Sequence, residues 1–135
     1  MATLARKRAP LAGPEANDLA RALASCWSEE TSSDRARWSP DNRAWGQCAV
    51  SALVVQDYLG GELLRGQMVD GSHYWNVLPG GEQFDATRGQ FETQPVFSDI
   101  SLRSRGAVLS HPDTKHRYEI LSEAVRTALA SKSRA

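Results

Sequence analysis

The chain has 135 residues, and sixteen Lys and Arg balance sixteen Asp and Glu, so its formal net charge is zero. That length fits one domain with its own core, residues 1–135, with loose ends at 1–12 and 131–135. A neutral chain carries no electrostatic footprint for nucleic acid or an anionic membrane, and its longest apolar run, Ala49 to Val55 with Ser51 inside it, is too short to span a bilayer.

The N-terminal MATLARKRAP places no apolar segment before its basic residues, so it does not read as a secretory signal, and Arg6-Lys7-Arg8 reads as a solvated tail. A cytoplasmic location follows as the expectation, and in that reducing setting Cys26 and Cys48 are expected as free thiols.

Pro14 suits a first helical turn, and Leu19, Leu23 and Trp27 recur every four residues after it, which predicts an amphipathic helix over 14–27. Cys26 on that helix reads as a core thiol. Glu29 to Asn42 is polar and reads as a loop. Gln47 to Leu59 is apolar on nearly every side and stops at Gly60-Gly61, the mark of a buried helix. Three short runs follow, Glu62 to Val69, Ser72 to Leu78 and Glu82 to Thr87. Asp70-Gly71 and Pro79-Gly80-Gly81 are the turns between them, so the three read as an antiparallel meander. Arg88 to Ser110 wraps the sheet, with a short element near Leu102 to Leu109. Asp113 is positioned to cap a last helix, whose apolar residues Ile120, Leu121, Ala124, Val125, Ala128 and Leu129 keep helical spacing. The fold class is α+β, helices packed against a small antiparallel sheet.

Three residues with complementary chemistry lie on this frame. Cys48 opens the buried helix, His73 lies on the second strand and Asp85 on the third. A helix N-terminus favours a thiolate, and its free N–H groups can receive an oxyanion. A histidine carries the proton between thiol and leaving group, and a carboxylate fixes that histidine's tautomer. The strands make this testable. With a three-residue Pro79-Gly80-Gly81 connection, the numbers of opposed residues add to 160, and His73 and Asp85 become diagonal neighbours on one face. A two-residue connection would put them on opposite faces.

Trp45-Gly46-Gln47-Cys48, His73-Tyr74-Trp75-Asn76 and Phe84-Asp85-Ala86-Thr87 resemble the three active-site motifs of the transglutaminase-like superfamily. The closer resemblance is to small bacterial YunG-like proteins, through Trp-Gly-Gln-Cys, Gly60-Gly61, His-Tyr-Trp-Asn, Asp85-x-Thr87-x-x-Gln90-Phe91 and Arg117-Tyr118. It covers most of residues 38–125. The resemblance implies a papain-like fold in which Cys48, His73 and Asp85 are nucleophile, base and orienting group. It implies no substrate, and without a calcium loop it does not extend to the cross-linking of the large enzymes. The expected activity is acyl transfer from an amide, ester or thioester of a small molecule or peptide, to water or an amine, with no cofactor and no metal. The competing expectation is an inactive binding module that uses the same groove.

Asn42, Trp45 and Gln47 are rival side-chain donors to an oxyanion; Asn42 sits at the offset where papain-like proteases carry a glutamine. Trp75, Asn76 and Gln90 are candidates for substrate contact or for orienting His73, and the bland reading of each is packing or satisfied strand ends. His111 and His116 fall in a polar stretch before the last helix. A zinc site joining either one to Cys48 and His73 has no supporting spacing.

Overall fold

The computed structural model describes residues 14–134, with side chains through 131. The expected loose end at 1–12 and its basic cluster lie outside the described residues.

Helix α1 (Ala16–Cys26) begins two residues later than Pro14 suggests, and it buries Leu19, Ala22 and Leu23. A single 3-10 turn, Glu29–Thr31, interrupts the loop that follows. Helix α2 (Cys48–Leu59) is the centre of the molecule, with six consecutive residues, Val50 to Val55, buried. No polar face is left to it because both sides are covered. Val50, Val54 and Val55 pack with Leu19, Leu23 and Trp27 on one side, while Ala52 and Leu53 pack with Leu63 on the other. The polar atoms inside are paired, as burial demands; Trp27 Nε1 donates to Ser51 Oγ at 2.9 Å.

Strands β1 (Glu62–Met68), β2 (Gly71–Val77), β3 (Gln83–Phe84) and β4 (Asp99–Arg103) form one antiparallel sheet in the order β3-β2-β1-β4. The first hairpin turns one residue earlier than Asp70-Gly71 suggests. Gly71 already pairs with Met68, so Val69 and Asp70 are the loop. A one-residue slip would turn Leu63 away from the helix it packs on. The second hairpin has the three-residue connection. Asn76 opposes Phe84 and Val77 opposes Gln83, and each pair of numbers adds to 160. The third strand is shorter than 82–87, because Asp85 leaves the ladder to accept from Thr87. Strand β4 is an element the sequence reading missed; it pairs along β1 from Leu63↔Arg103 to Gln67↔Asp99.

Helix α3 (Arg105–Leu109) is capped by Ser104, whose Oγ accepts from Ala107 N–H at 3.1 Å. Helix α4 (Pro112–Arg134) buries Leu121 and Val125 against α1 and α2. Asp113 is not its cap. The helix opens with the His111 carbonyl accepting from Lys115 N–H, and Asp113 Oδ2 instead holds Arg117 Nε at 2.8 Å. Arg117 is buried and needs that carboxylate, together with the Thr31 carbonyl, to hold its charge there. His116 therefore lies within α4 rather than in a loop. The helix runs through Arg134, so 131–134 are helical rather than loose. Among the described residues, no helix is long and apolar enough to cross a membrane.

Candidate active site

Cys48 is the first residue of α2, and the turn that delivers it depends on Gly46. Gly46 has φ 75°, and a Cβ there would lie 2.2 Å from Ser32 Oγ and 2.9 Å from Ser33 N. A side chain is excluded on both counts. Gln47 then anchors the helix entrance from within. It is fully buried, its Nε2 donates to Ser28 O at 2.9 Å, and its Oε1 accepts from Thr31 Oγ1 at 2.7 Å. No side chain caps the start of α2, so side chains leave the first-turn N–H groups beside Cys48 unclaimed.

His73 and Asp85 meet on one face of the sheet, with Nε2 and Oδ2 2.6 Å apart. Thr87 fixes the other carboxylate oxygen. Its N–H and its hydroxyl both donate to Asp85 Oδ1, at 3.1 and 3.3 Å. The Asp-Ala-Thr triplet thus aims one oxygen at His73 by tethering the other, a local side chain to backbone pairing that suits Asp. With Nε2 taken by Asp85, Nδ1 is the nitrogen left for Cys48.

His73 is 1% exposed. It stacks on Trp75 with centroids 5.6 Å apart, lies parallel to Phe97 at 6.0 Å, and takes the edge of Phe91 at 4.9 Å. Burial works against the charged imidazolium. The hydrogen bonds to Asp85 and Cys48, with the charges of both, outweigh it and raise the His73 pKa from 6.5 to about 9.

Gly66 makes room for this aromatic cage. It opposes His73 across the β1–β2 pair, and a Cβ on it would lie 2.6 Å from Phe97 Cδ1 and 2.9 Å from Trp75 Cη2. The Phe97 ring covers the place where a side chain would stand. Phe91 was singled out only as part of the resemblance motif, with no role, and Phe97 and Gly66 were missed by sequence reasoning. The signal for the first two was present: besides Phe84 they are the chain's only phenylalanines, and they interrupt a polar stretch.

Cys48 opens onto a cavity of 810 Å3 between the loop before α2, the β1–β2 hairpin tip and residues 90–96. That volume suits a small-molecule or short peptide group. Three further candidate residues, Asn42, Trp45 and Gln90, line it. Trp45 Nε1 donates to Asp34 Oδ2 at 3.2 Å, while Arg37 lies over its ring at 4.6 Å. Asn42 Nδ2 donates to the Gln90 carbonyl at 3.2 Å and so ties two walls together. Gln90 Nε2 turns back to Thr87, at 3.1 Å from its hydroxyl.

Gln47, Trp75 and Asn76 do not reach the cavity. Gln47 is fully buried and bonded to Ser28 and Thr31. Asn76 is buried and donates to Ala52 O at 2.9 Å, which ties β2 to α2 rather than orienting His73. Trp75 donates to Gln83 Oε1 at 2.8 Å and serves as a wall of the histidine cage. Tyr74 packs against the core beside Leu53 and Leu63. Both cysteines are unpaired. Among the described residues, no three His, Cys, Asp or Glu side chains converge so as to hold a metal ion.

Fold and site together define an α+β domain that sets a cysteine at a helix N-terminus beside a buried histidine paired with a half-buried aspartate. The chain belongs to the YunG family: the family model described as YunG protein matches residues 15–130. A relative from Bacillus subtilis (strain 168), named "Uncharacterized protein YunG", is 30% identical over 102 residues, covering 76% of this chain and 84% of the relative. No solved structure matches the chain significantly.

Proposed function

We propose that the chain is a cysteine-dependent acyl-transfer enzyme on a papain-like, transglutaminase-like scaffold, working in the cytoplasm on an amide, ester or thioester. The observation that carries this reading is the 2.6 Å His73–Asp85 pair beside Cys48, which opens the uncapped end of α2 onto the cavity.

With its pKa near 9, His73 holds a proton at neutral pH and so serves first as an acid. The Cys48 thiolate attacks the carbonyl carbon and forms a C–S bond. The carbonyl oxygen takes the negative charge and is met by first-turn N–H groups of α2. As the bond to the leaving group breaks, Nδ1–H of His73 gives that group its proton, and an acyl-enzyme remains. His73, now neutral, takes a proton from an incoming water or amine, which attacks the acyl carbon and expels Cys48 as thiolate. Asp85 holds the ring in one tautomer throughout. No cofactor enters these steps.

Iodoacetamide labelling, followed for Cys48 and Cys26 by peptide mass spectrometry, tests this. Cys48 is expected to label about tenfold faster than Cys26 at neutral pH, and to lose that lead in His73→Ala. The near-complete burial of His73 under Phe91 and Phe97 favours a second reading, an inactive module that holds a ligand in the cavity. Equal labelling of both thiols, whatever stands at 73, supports that reading and refutes the first.

A further inference from the structure

Strand β4 is the open edge of the sheet. One side of Asp99-Ile100-Ser101-Leu102-Arg103 pairs with β1, and among the described residues no strand lies along the other. Edge strands are normally defended by a lysine, a proline, a bulge or a covering segment, because their unpaired N–H and C=O groups invite another strand. This one has no lysine, proline or bulge, and its two charges stand at its ends. Its pairing with β1 is regular over all five residues, and Ile100 and Leu102 stand 53% and 58% exposed on one face.

The sequence of this edge is complementary to itself. Opposite charges stand at its two ends, two apolar residues flank the middle, and a serine is the centre. Laid antiparallel on a second copy about Ser101, Asp99 faces Arg103 of that copy, and Ile100 faces its Leu102. Arg103 and Leu102 meet their counterparts in the same way. Neither the Asp99 nor the Arg103 side chain makes a hydrogen bond or ion pair among the described residues, so both charges are available. At the centre, Ser101 faces Ser101 of that copy. A parallel arrangement instead puts Asp99 beside Asp99. A shift by one residue sets charge against an apolar side chain.

We propose that β4 is a homodimer interface, two copies joining edge to edge about a two-fold axis through Ser101. The result is one continuous eight-stranded sheet of order β3-β2-β1-β4-β4-β1-β2-β3, with an isologous contact of the kind most soluble dimers use.

Sedimentation velocity of the full chain across micromolar concentrations tests it. The wild type is expected at twice the chain mass. Asp99→Arg places two arginines opposite two arginines, and Arg103→Asp places two aspartates opposite two aspartates. Each swap should weaken dimerisation by about tenfold. The double swap Asp99→Arg with Arg103→Asp restores opposite pairing and should return the dimer to within a few-fold of wild type. Both positions changed are exposed, so the monomer fold is kept, which circular dichroism checks. Three results would each overturn the proposal: a wild type that stays monomeric at every concentration, a dimer indifferent to the single swaps, or a double swap that fails to restore it.

Discussion

Replacing Asp85 by Asn should flatten the dependence of stability on pH. His73 in the folded chain keeps its proton to about pH 9, against 6.5 for a free imidazole, and burial alone would have moved it the other way. A folded-state pKa raised above the unfolded value stabilises the fold fully below pH 6.5. That stabilisation is then lost as pH rises through about 9. The rise from 6.5 to about 9 corresponds to an upper value of about 3.5 kcal/mol, since each pH unit is worth about 1.4 kcal/mol. Asp85→Asn keeps the side-chain shape and an oxygen for the Thr87 N–H, but it removes the charge facing Nε2. Urea unfolding at intervals between pH 6 and 10, analysed for midpoint and slope, measures the effect. The wild type should lose up to about 3.5 kcal/mol across that window, and the variant should lose clearly less, keeping only the part that Cys48 supports. Groups common to both proteins cancel in the comparison. A wild type with level stability from pH 6.5 to 9, or a variant with the same slope as wild type, would refute the reasoning.

Gly66→Ala should cost about 1–3 kcal/mol by thermal or urea unfolding, because the new methyl meets the Phe97 ring at 2.6 Å and the ring must move off His73. Gln47→Ala should cost about 2 kcal/mol in the same assay, since it removes two buried hydrogen bonds and leaves the Thr31 hydroxyl and the Ser28 carbonyl only their bonds to each other. Leu53→Ala empties a fully buried position between α2 and β1 and should cost about 2–5 kcal/mol. Cys48→Ala should keep cooperative unfolding and lie within about 1 kcal/mol of wild type, because the thiol is half-buried at a helix start; a larger loss would assign Cys48 to the core.

The parts of the fold legible in the sequence were those set by local spacing. Leu19, Leu23 and Trp27 at every fourth position made α1, and the unbroken apolar run stopped by Gly60 made α2. The Pro79-Gly80-Gly81 connection fixed the register that brings His73 to Asp85. Strand β4 escaped because it is short, its apolar residues face outward, and its partner β1 lies more than thirty residues earlier in the chain. The Asp113 cap failed because Arg117, one helical turn on, claims the carboxylate first.

The candidate site divides along the same line. The sequence by itself determined the three candidate residues and their frame: a cysteine opening a buried helix, a histidine on the next hairpin, and an aspartate tethered by its own Thr87 two residues later. Each depends on helix start, strand alternation or a local turn. Only the tertiary structure decided what the polar neighbours do. Gln47 finds Ser28 and Thr31, Trp45 finds Asp34, and Asn76 finds Ala52, each partner lying well over a helical turn away in sequence. A buried polar group takes whatever partner packing brings within about 3 Å, and local pattern holds no record of that choice. The same is true of the cage that Phe91 and Phe97 close over His73 from a segment with no regular spacing of its own.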